Sequence, residues 1–339
     1  MIWLQTGFLG DIILTTAAMH WAKRAFPGCR QVLITTPLGA RALAGHPDVD
    51  QIVVFDKRGT SLLRAVKSLR QDLRHLERKS SVLLQVHRSA RSSLLARGLG
   101  FPTVTYHESR LGILAKTTVP RIALLHETQR ILLLLEAIGI SRWDFQGAQP
   151  CLPQADRNLA EDVRTWADGA PLVAIAPGSV WGTKRWPKES FRKVAEELLQ
   201  SSSVKIVILG TKEEREATDA VALAGTGYPD RLRNLAGQTQ LDDLRALYPS
   251  FRLLLCNDSS PLHYASAFGV PSVALFGATV PALGFGPLAP HSVVVEKDVS
   301  CRPCSDHGPQ TCPLGHFTCM RQISSAEVLT HVRGLLALS

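Results

Sequence analysis

The chain has 339 residues, 45% of them hydrophobic and 20% charged, which excludes a disordered chain and gives enough length for two ordinary domains. No run of 18 apolar residues is free of charge, and the N-terminus lacks the basic leader and small-residue cleavage site of a signal peptide, so the expected location is the cytoplasm. A formal net charge of +9 implies an acidic partner, whether nucleic acid, an anionic membrane surface or a phosphorylated substrate.

In chain order, residues 2–5 read as a short strand, 6–10 as a glycine-bearing turn and 11–25 as an amphipathic helix that ends at Phe26-Pro-Gly28. A strand at 32–35, a helix at 38–44, a strand at 52–55 and a long basic helix at 61–77 follow. On that helix Arg64, Lys67, Arg70, Arg74 and Arg78 recur at three- or four-residue steps, the pattern of a solvated face or of a basic face next to a membrane. Neither it nor the later Arg88, Arg91 and Arg97 is interleaved with aromatics, and no zinc finger or ribonucleoprotein motif is present, so the reading sets nucleic acid aside. Strand 82–86, helix 90–98, strand 103–106 and an apolar helix at 124–138 complete the first half. The repeated strand–helix order predicts a parallel sheet covered on both faces.

Residues 140–153, with Gly147, Pro150 and Pro153, break the alternation and read as a linker. The cycle then restarts with helix 156–167, strand 172–176, helix 188–200, strand 204–209, helix 212–224, strand 231–234, helix 241–248 and strand 251–256. After a short polar turn a helix led by Pro261 runs to Gly269, and residues 272–276 form another strand. A last helix at 325–338, capped by Ser324 or Ser325, packs on either half. Two Rossmann-like halves of similar size facing each other across a cleft are expected.

Two turns stand out. One is Asp258-Ser-Ser-Pro261, where a strand feeds a helix N-terminus and several backbone N–H groups converge with the partial positive charge of the helix behind them, the makings of a phosphate site. Taken alone it is only a well-capped helix start. The other is Pro177-Gly-Ser-Val-Trp-Gly-Thr-Lys-Arg-Trp-Pro187, which likewise lies between a strand and a helix. Two such turns in one α/β half would face the same sheet edge, where open α/β folds bind ligands. The Gly7-x-x-Gly10 turn resembles part of a dinucleotide fingerprint, but G-x-G-x-x-G is absent and no acidic residue follows about 20 positions on, which rejects a nicotinamide dehydrogenase. Asp11, next in line, is either a cap or a carboxylate projecting into the cleft. Cys301, Cys304, Cys312 and Cys319 fall within nineteen residues and leave two readings open, a structural zinc or iron site and reduced structural thiols.

Taken together, G-F-L-G-D-I-I-L-T-T at 7–16, P-G-S-V-W-G-T-K-R-W-P at 177–187, N-D-S-S-P-L-H-Y-A-S-A at 257–267 and C-R-P-C…C-P-L-G-H…C-M at 301–320 resemble glycosyltransferase family 9, the ADP-heptose:lipopolysaccharide heptosyltransferases, and within it the heptosyltransferase II type. The resemblance implies a GT-B fold with an acceptor domain at 1–150, a nucleotide-sugar domain at 151–322 and a C-terminal helix at 323–339 that crosses back to the first domain. It implies heptose transfer from ADP-heptose, with inversion, onto the acidic lipopolysaccharide inner core, with no cofactor required and with transient contact at the inner-membrane surface. By the same resemblance Asp11 is the general base, with Gly10 beside it. Lys184 lies near the donor phosphates with the Ser179 hydroxyl beside it. Ser259, Ser260, Pro261, Leu262 and His263 form the diphosphate-binding helix start, and Asp258 and Asp242 contact donor sugar or ribose. Ser260 stands where the family often has a smaller residue, commonly glycine. The competing readings are another nucleotide-sugar transferase or epimerase on the same fold, and a non-catalytic binder of nucleotide sugar or lipopolysaccharide.

Overall fold

The structure, a computed structural model, describes residues 1–57, 59–141 and 149–337. Gly147 of the expected linker and Leu338 of the expected last helix lie outside the described residues. The chain divides into two compact units, Met1–Pro153 and Gln154–Ser339.

In the first unit, strands β1 (Ile2–Gln5), β2 (Val32–Thr35), β3 (Gln51–Val54), β4 (Leu83–Gln85), β5 (Thr103–Tyr106) and β6 (Thr117–Val119) alternate with helices α1 (Leu9–Ala25), α2 (Pro37–Ala42), α3 (Leu62–Asp72), α4 (Ala90–Leu99) and, after β6, α5 (Glu127–Glu136). The strands form one parallel sheet in the order β3-β2-β1-β4-β5-β6. Ile2, Leu4, Ile34 and Leu83 on one sheet face pack against Leu69 of α3 and Leu95 and Leu99 of α4, while α1 and α5 pack together. Strands buried on both faces need apolar residues at successive positions, which is why β1, β2 and β4 read as continuous apolar runs.

The second unit contains α6 (Asn158–Ala167), β7 (Leu172–Ala176), α7 (Lys188–Ser201), β8 (Lys205–Ile208), α8 (Arg215–Ala222), β9 (Leu232–Asn234), α9 (Leu241–Leu247), β10 (Phe251–Asn257), α10 (Ser260–Phe268), β11 (Ser272–Phe276), β12 (Val293–Glu296), α11 (Thr318–Arg321) and α12 (Ser325–Ala337). Its sheet, again all parallel, runs β12-β11-β10-β7-β8-β9. This is the first sheet's order read from its other edge, so both units share one topology. In each, the direction of winding reverses between the first and fourth strands, β1/β4 and β7/β10, and the carboxyl ends of those strands open a crevice suited to a ligand.

The departures from the expected elements have local causes. β6 and β12 lie at sheet edges, and short, partly buried edge strands leave little periodic signal. The four-residue α11 is likewise too short to announce itself. Helix α3 ends at Asp72 instead of 77 because its buried stripe, Ala65 and Leu69, closes on Leu73 at the C-cap. In the last helix Val328, Leu329, Val332 and Leu335 enter the second unit's core beside Phe191 and Leu198 of α7. Its apolar face is satisfied there. Among the described residues no helix is long and apolar enough to cross a membrane.

Candidate functional site

In the second unit the two polar turns do meet. β7 and β10 are adjacent parallel strands, so the turns that follow them emerge side by side. Asn257, the last residue of β10, locks them together: its Nδ2 donates to the carbonyls of Pro177 (2.8 Å) and Gly178 (3.3 Å), and its Oδ1 accepts the N–H of Trp186 at 3.0 Å. Trp186 is buried, edge-on to Phe191, with its indole N–H donated to Ile323 O. A buried aromatic therefore fixes the end of the turn that carries Lys184.

Lys184 Nζ lies 2.6 Å from Asp258 Oδ2, and the same oxygen accepts the Thr279 hydroxyl at 2.6 Å. Both members of the pair are largely buried, with side chains 12% and 6% exposed. Asp258 is thus committed to holding the lysine at the sheet edge. Ser179 is buried, and its hydroxyl accepts the Trp181 N–H within its own turn.

At the start of α10, Ser259 is the N-cap but its side chain makes no capping bond, and Pro261 stands in the first turn. Leu262 N–H is taken by Ser259 O, and Pro261 has none to give. The backbone amides of Ser259 and Ser260 carry no intrahelical partner, as at any helix start. Leu262 is fully buried, which assigns its side chain to the core rather than to ligand contact, and His263 is buried with its ring edge-on to Phe285. Asp242 pairs with Arg157 and, at 2.7 Å, with Arg245. Bonding to Arg245 and Arg157 holds its carboxyl below the usual range, while Tyr264 of α10 feels the charges of both Arg245 and Asp242. Asp242 therefore lies beside α10, in an ion network that joins it to Arg157 ahead of α6.

The cysteine-rich stretch buttresses these turns. Thr183 Oγ1 donates to Pro309 O at 2.5 Å, Gly182 N–H to Gln310 Oε1 at 3.1 Å, and Gln310 Nε2 to Val180 O at 3.1 Å, while Trp181 stacks on His307. A Cβ at Gly182 would collide with the Gln310 carbonyl. Arg302, between Cys301 and Cys304, donates to the carbonyls of Gly277, Lys297, Phe276 and Thr279 and pairs with Glu296 at 2.7 Å. Cys304 N–H donates to Ala278 O. The four thiols are free, and Cys304 is raised by burial and then by its neighbours Cys301 and Cys312. The set of three metal-ligand atoms that come within 4.8 Å of one another, among the described residues, lies elsewhere, in the first unit.

In the first unit the helix begins at Leu9, so Gly10 joins Asp11 in the first turn of α1 rather than the turn before it. Gln5 Oε1 accepts the Gly7 N–H at 2.9 Å and Asp11 Oδ2 the Phe8 N–H at 3.1 Å. A Cβ at Gly7 would come 2.8 Å from Asp11 Oδ2, so glycine is what lets the carboxylate fold back over the chain. Asp11 caps the helix, as the plainer reading held. Burial first and the Glu127 charge second push its carboxyl up to about 6, against opposing contributions from Phe8 N–H, Arg121 and Arg88.

Other groups near the end of β1 come from the start of α5 and from the turns after β4 and β3. Glu127 is held by Arg121 (2.5 Å) and Arg130 (3.0 Å). His87, after β4, contacts Thr6 Oγ1 at 3.0 Å and Ser92 Oγ at 2.9 Å, and burial followed by Lys57 and Arg88 lowers it to about 4. Lys57, after β3, is lowered by burial and Arg91 and raised by Asp11. Sequence reasoning did not single out Lys57, Glu127, Arg121, Asn257, Thr279 or Arg302 as site residues. Their position just beyond a strand end was the available signal for Lys57, Asn257 and Thr279.

Residues 66–314 match glycosyltransferase family 9 (heptosyltransferase). The chain is 26% identical over 287 residues, 81% of each protein, to lipopolysaccharide heptosyltransferase 2 of Escherichia coli K12. It is 29% identical over 174 residues to a lipooligosaccharide heptosyltransferase 2 of Campylobacter jejuni, a match covering 50% of this chain and about half, 52%, of the relative. In structure it is similar to a glycosyl transferase family 9 protein from Veillonella parvula (TM-score 0.82, 22% identity, 100% of this chain and 97% of the other) and to E. coli ADP-heptose lps heptosyltransferase II (TM-score 0.75, 21% identity, 99% and 98%). These likenesses show the GT-B type of fold, two parallel sheets with helices on both faces.

Proposed function

This chain belongs to glycosyltransferase family 9, and from that premise we propose that it moves a heptose from ADP-heptose to the inner core of lipopolysaccharide, with inversion at the anomeric carbon. The observation that carries the reading is the second unit's edge, where Asn257 locks two polar turns together and Asp258 holds Lys184 between them. Glycosyl transfer has an oxocarbenium-like transition state with charge growing on the departing diphosphate. A fixed cation and helix amides act where that charge develops. Asp242 and Ser179 flank the same helix and turn, and we assign Asp242 to the donor's ribose.

For the first unit we assign Asp11 as general base. The acceptor O–H gives its proton to the carboxylate, the acceptor oxygen bonds to the anomeric carbon, and the bond from that carbon to the diphosphate oxygen breaks, releasing ADP. A carboxyl raised to about 6 is ionised at neutral pH yet basic enough to help. The reaction needs no metal on this reading. For Cys301, Cys304, Cys312 and Cys319 we propose a bracing role, as ligands of a structural zinc or iron or as reduced thiols; elemental analysis of the purified protein chooses between them. A lipid-anchored acceptor places the protein on the cytoplasmic side at the inner-membrane surface, with the basic face of α3 toward the anionic lipid.

Incubation with ADP-heptose and an isolated inner-core acceptor, followed by mass spectrometry of the acceptor and quantification of ADP, tests the assignment. One added heptose per ADP released is expected. Melting-temperature shifts with uridine sugars and none with ADP-heptose would instead indicate another nucleotide-sugar enzyme. Binding of ADP-heptose without turnover would leave a binding protein.

A further inference from the structure

A second group of chemically reactive side chains sits in the first unit, at the other end of α1. His20 is nine residues beyond Asp11, about 13 Å along the helix axis. Its Nδ1 lies 2.9 Å from Asp48 Oδ2, and ligand atoms of His20, Asp48 and Cys151 all fall within 4.8 Å of one another. The Asp48 side chain is largely buried, whereas that of His20 is 46% exposed.

The surroundings set the sulfur in place. Cys151 N–H donates to Thr16 Oγ1 at 2.9 Å, fixing the backbone of this residue against α1. Asp48 N–H donates to His46 Nδ1 at 3.2 Å. A ring nitrogen that accepts has no proton, so in the neutral imidazole the proton is on Nε2. That Nε2–H points at Cys151, 3.1 Å from its carbonyl oxygen and 3.5 Å from Sγ.

We propose that His20, Asp48 and Cys151 form a zinc site, with His46 as the hydrogen-bond donor that orients the sulfur. One nitrogen, one oxygen and one sulfur converging on a point suit a borderline-soft cation; magnesium and calcium, which take oxygen ligands, do not match the set. With bonds of about 2.0–2.3 Å, tetrahedral ligand atoms stand about 3.3–3.7 Å apart. His20 Nδ1 and Asp48 Oδ2, 2.9 Å apart, have to open by about 0.4 Å to reach that distance. The sulfur has to close by about 1 Å at most to reach it, and the exposed imidazole has room to adjust. On binding, the His20 Nδ1 proton that faces Asp48 moves by way of solvent to the ring's Nε2, the thiol proton passes to solvent, the thiolate takes its place on the cation, and His46 Nε2–H donates to that thiolate. A water completes the shell. Lying about 13 Å along α1 from Asp11, the ion ties residues 149–153 to α1 and to the loop before β3, a structural role distinct from transfer chemistry.

The test follows Cys151 itself, so metal held by the other cysteines cannot be mistaken for it. Full-length protein, stripped with chelator, is alkylated with iodoacetamide with and without added Zn²⁺, and labelling of each cysteine is read by peptide mass spectrometry. Zinc is expected to slow Cys151 labelling at least about tenfold, because a liganded thiolate is a poor nucleophile. Protection should vanish in His20→Ala and in Asp48→Asn, persist in Cys301→Ser/Cys304→Ser, and need about 10–100-fold more zinc in His46→Gln. If Asp48→Asn fails to fold, the half-exposed His20 still supplies a variant. Cys151 labelling that is indifferent to zinc in the wild-type chain overturns the site, as does protection that survives His20→Ala.

Discussion

Asp11 and Lys184 answer opposite demands on a single residue. Asp11 pays for its position in stability. Its folded value of about 6 lies above the usual carboxylate range, mainly through burial and then through Glu127, so the fold prefers the protonated form. Its contribution is therefore most favourable below about 4 and is lost as pH rises through 6. Asparagine keeps the capping acceptor without the charge. Asp11→Asn should raise the melting temperature at pH 7–8, with the gain vanishing below about pH 4, while kcat falls by about 10²–10⁴. The wild-type rate should show an ascending limb near pH 6 that the variant lacks. Wild-type turnover in the folded variant would end the assignment as base. Lys184 instead stabilises, since without it the buried Asp258 carboxylate would keep the Thr279 hydroxyl but lose its counter-charge. Lys184→Ala should cost about 3–5 kcal/mol of stability and weaken ADP-sugar binding by about 1.5–3 kcal/mol. Adding Asp258→Asn removes the stranded charge, so calorimetry should show stability recovering and titration should show donor affinity still weak. Recovery of both would mean that the lysine serves only Asp258.

At the scale of elements, the cysteine-rich segment after β12 behaves as a splint. Arg302 gathers the carbonyls beyond β11, and Pro309 and Gln310 hold the Lys184 turn from its outer side. Lysine cannot reproduce a planar fork of five donors. Arg302→Lys should lower the second unit's stability by about 3 kcal/mol or more and raise the KM for donor with a smaller change in kcat. Chemical denaturation and steady-state kinetics measure the two effects. Lost stability with an unchanged donor KM would confine Arg302 to structure. Helix α10 shows the same dependence on neighbours: its start is supported from below by Tyr248, whose hydroxyl donates to Pro261 O at 3.1 Å. A turn and a helix that each resemble ordinary capping become a site because other elements hold them in register.

The whole molecule repeats one idea. Each unit is a six-stranded parallel sheet of the same strand order, and the residues proposed for transfer lie where that order reverses: Asp11 beyond β1, Lys184 and Asp258 beyond β7 and β10. Alternating apolar strands and amphipathic helices determined from the sequence that each unit is a parallel sheet covered by helices, because burial on both sheet faces imposes a pattern on every neighbouring residue. The sequence likewise determined where the turns fall, since glycine, proline and capping residues act within a few positions. That Asp11, Ser179, Lys184 and the 258–263 stretch stand at or beside turns was legible for that reason, while the roles proposed for them rest on the family resemblance. Strand order was not, because local periodicity is the same whichever strands pair. Nor could the sequence tell that Lys184 closes on Asp258, that Asn257 reaches Pro177, that α12 returns to its own unit's core, or that Cys151 meets His20 and Asp48. Those partners are tens to more than a hundred residues apart, and only the packing of whole elements brings them within bonding distance.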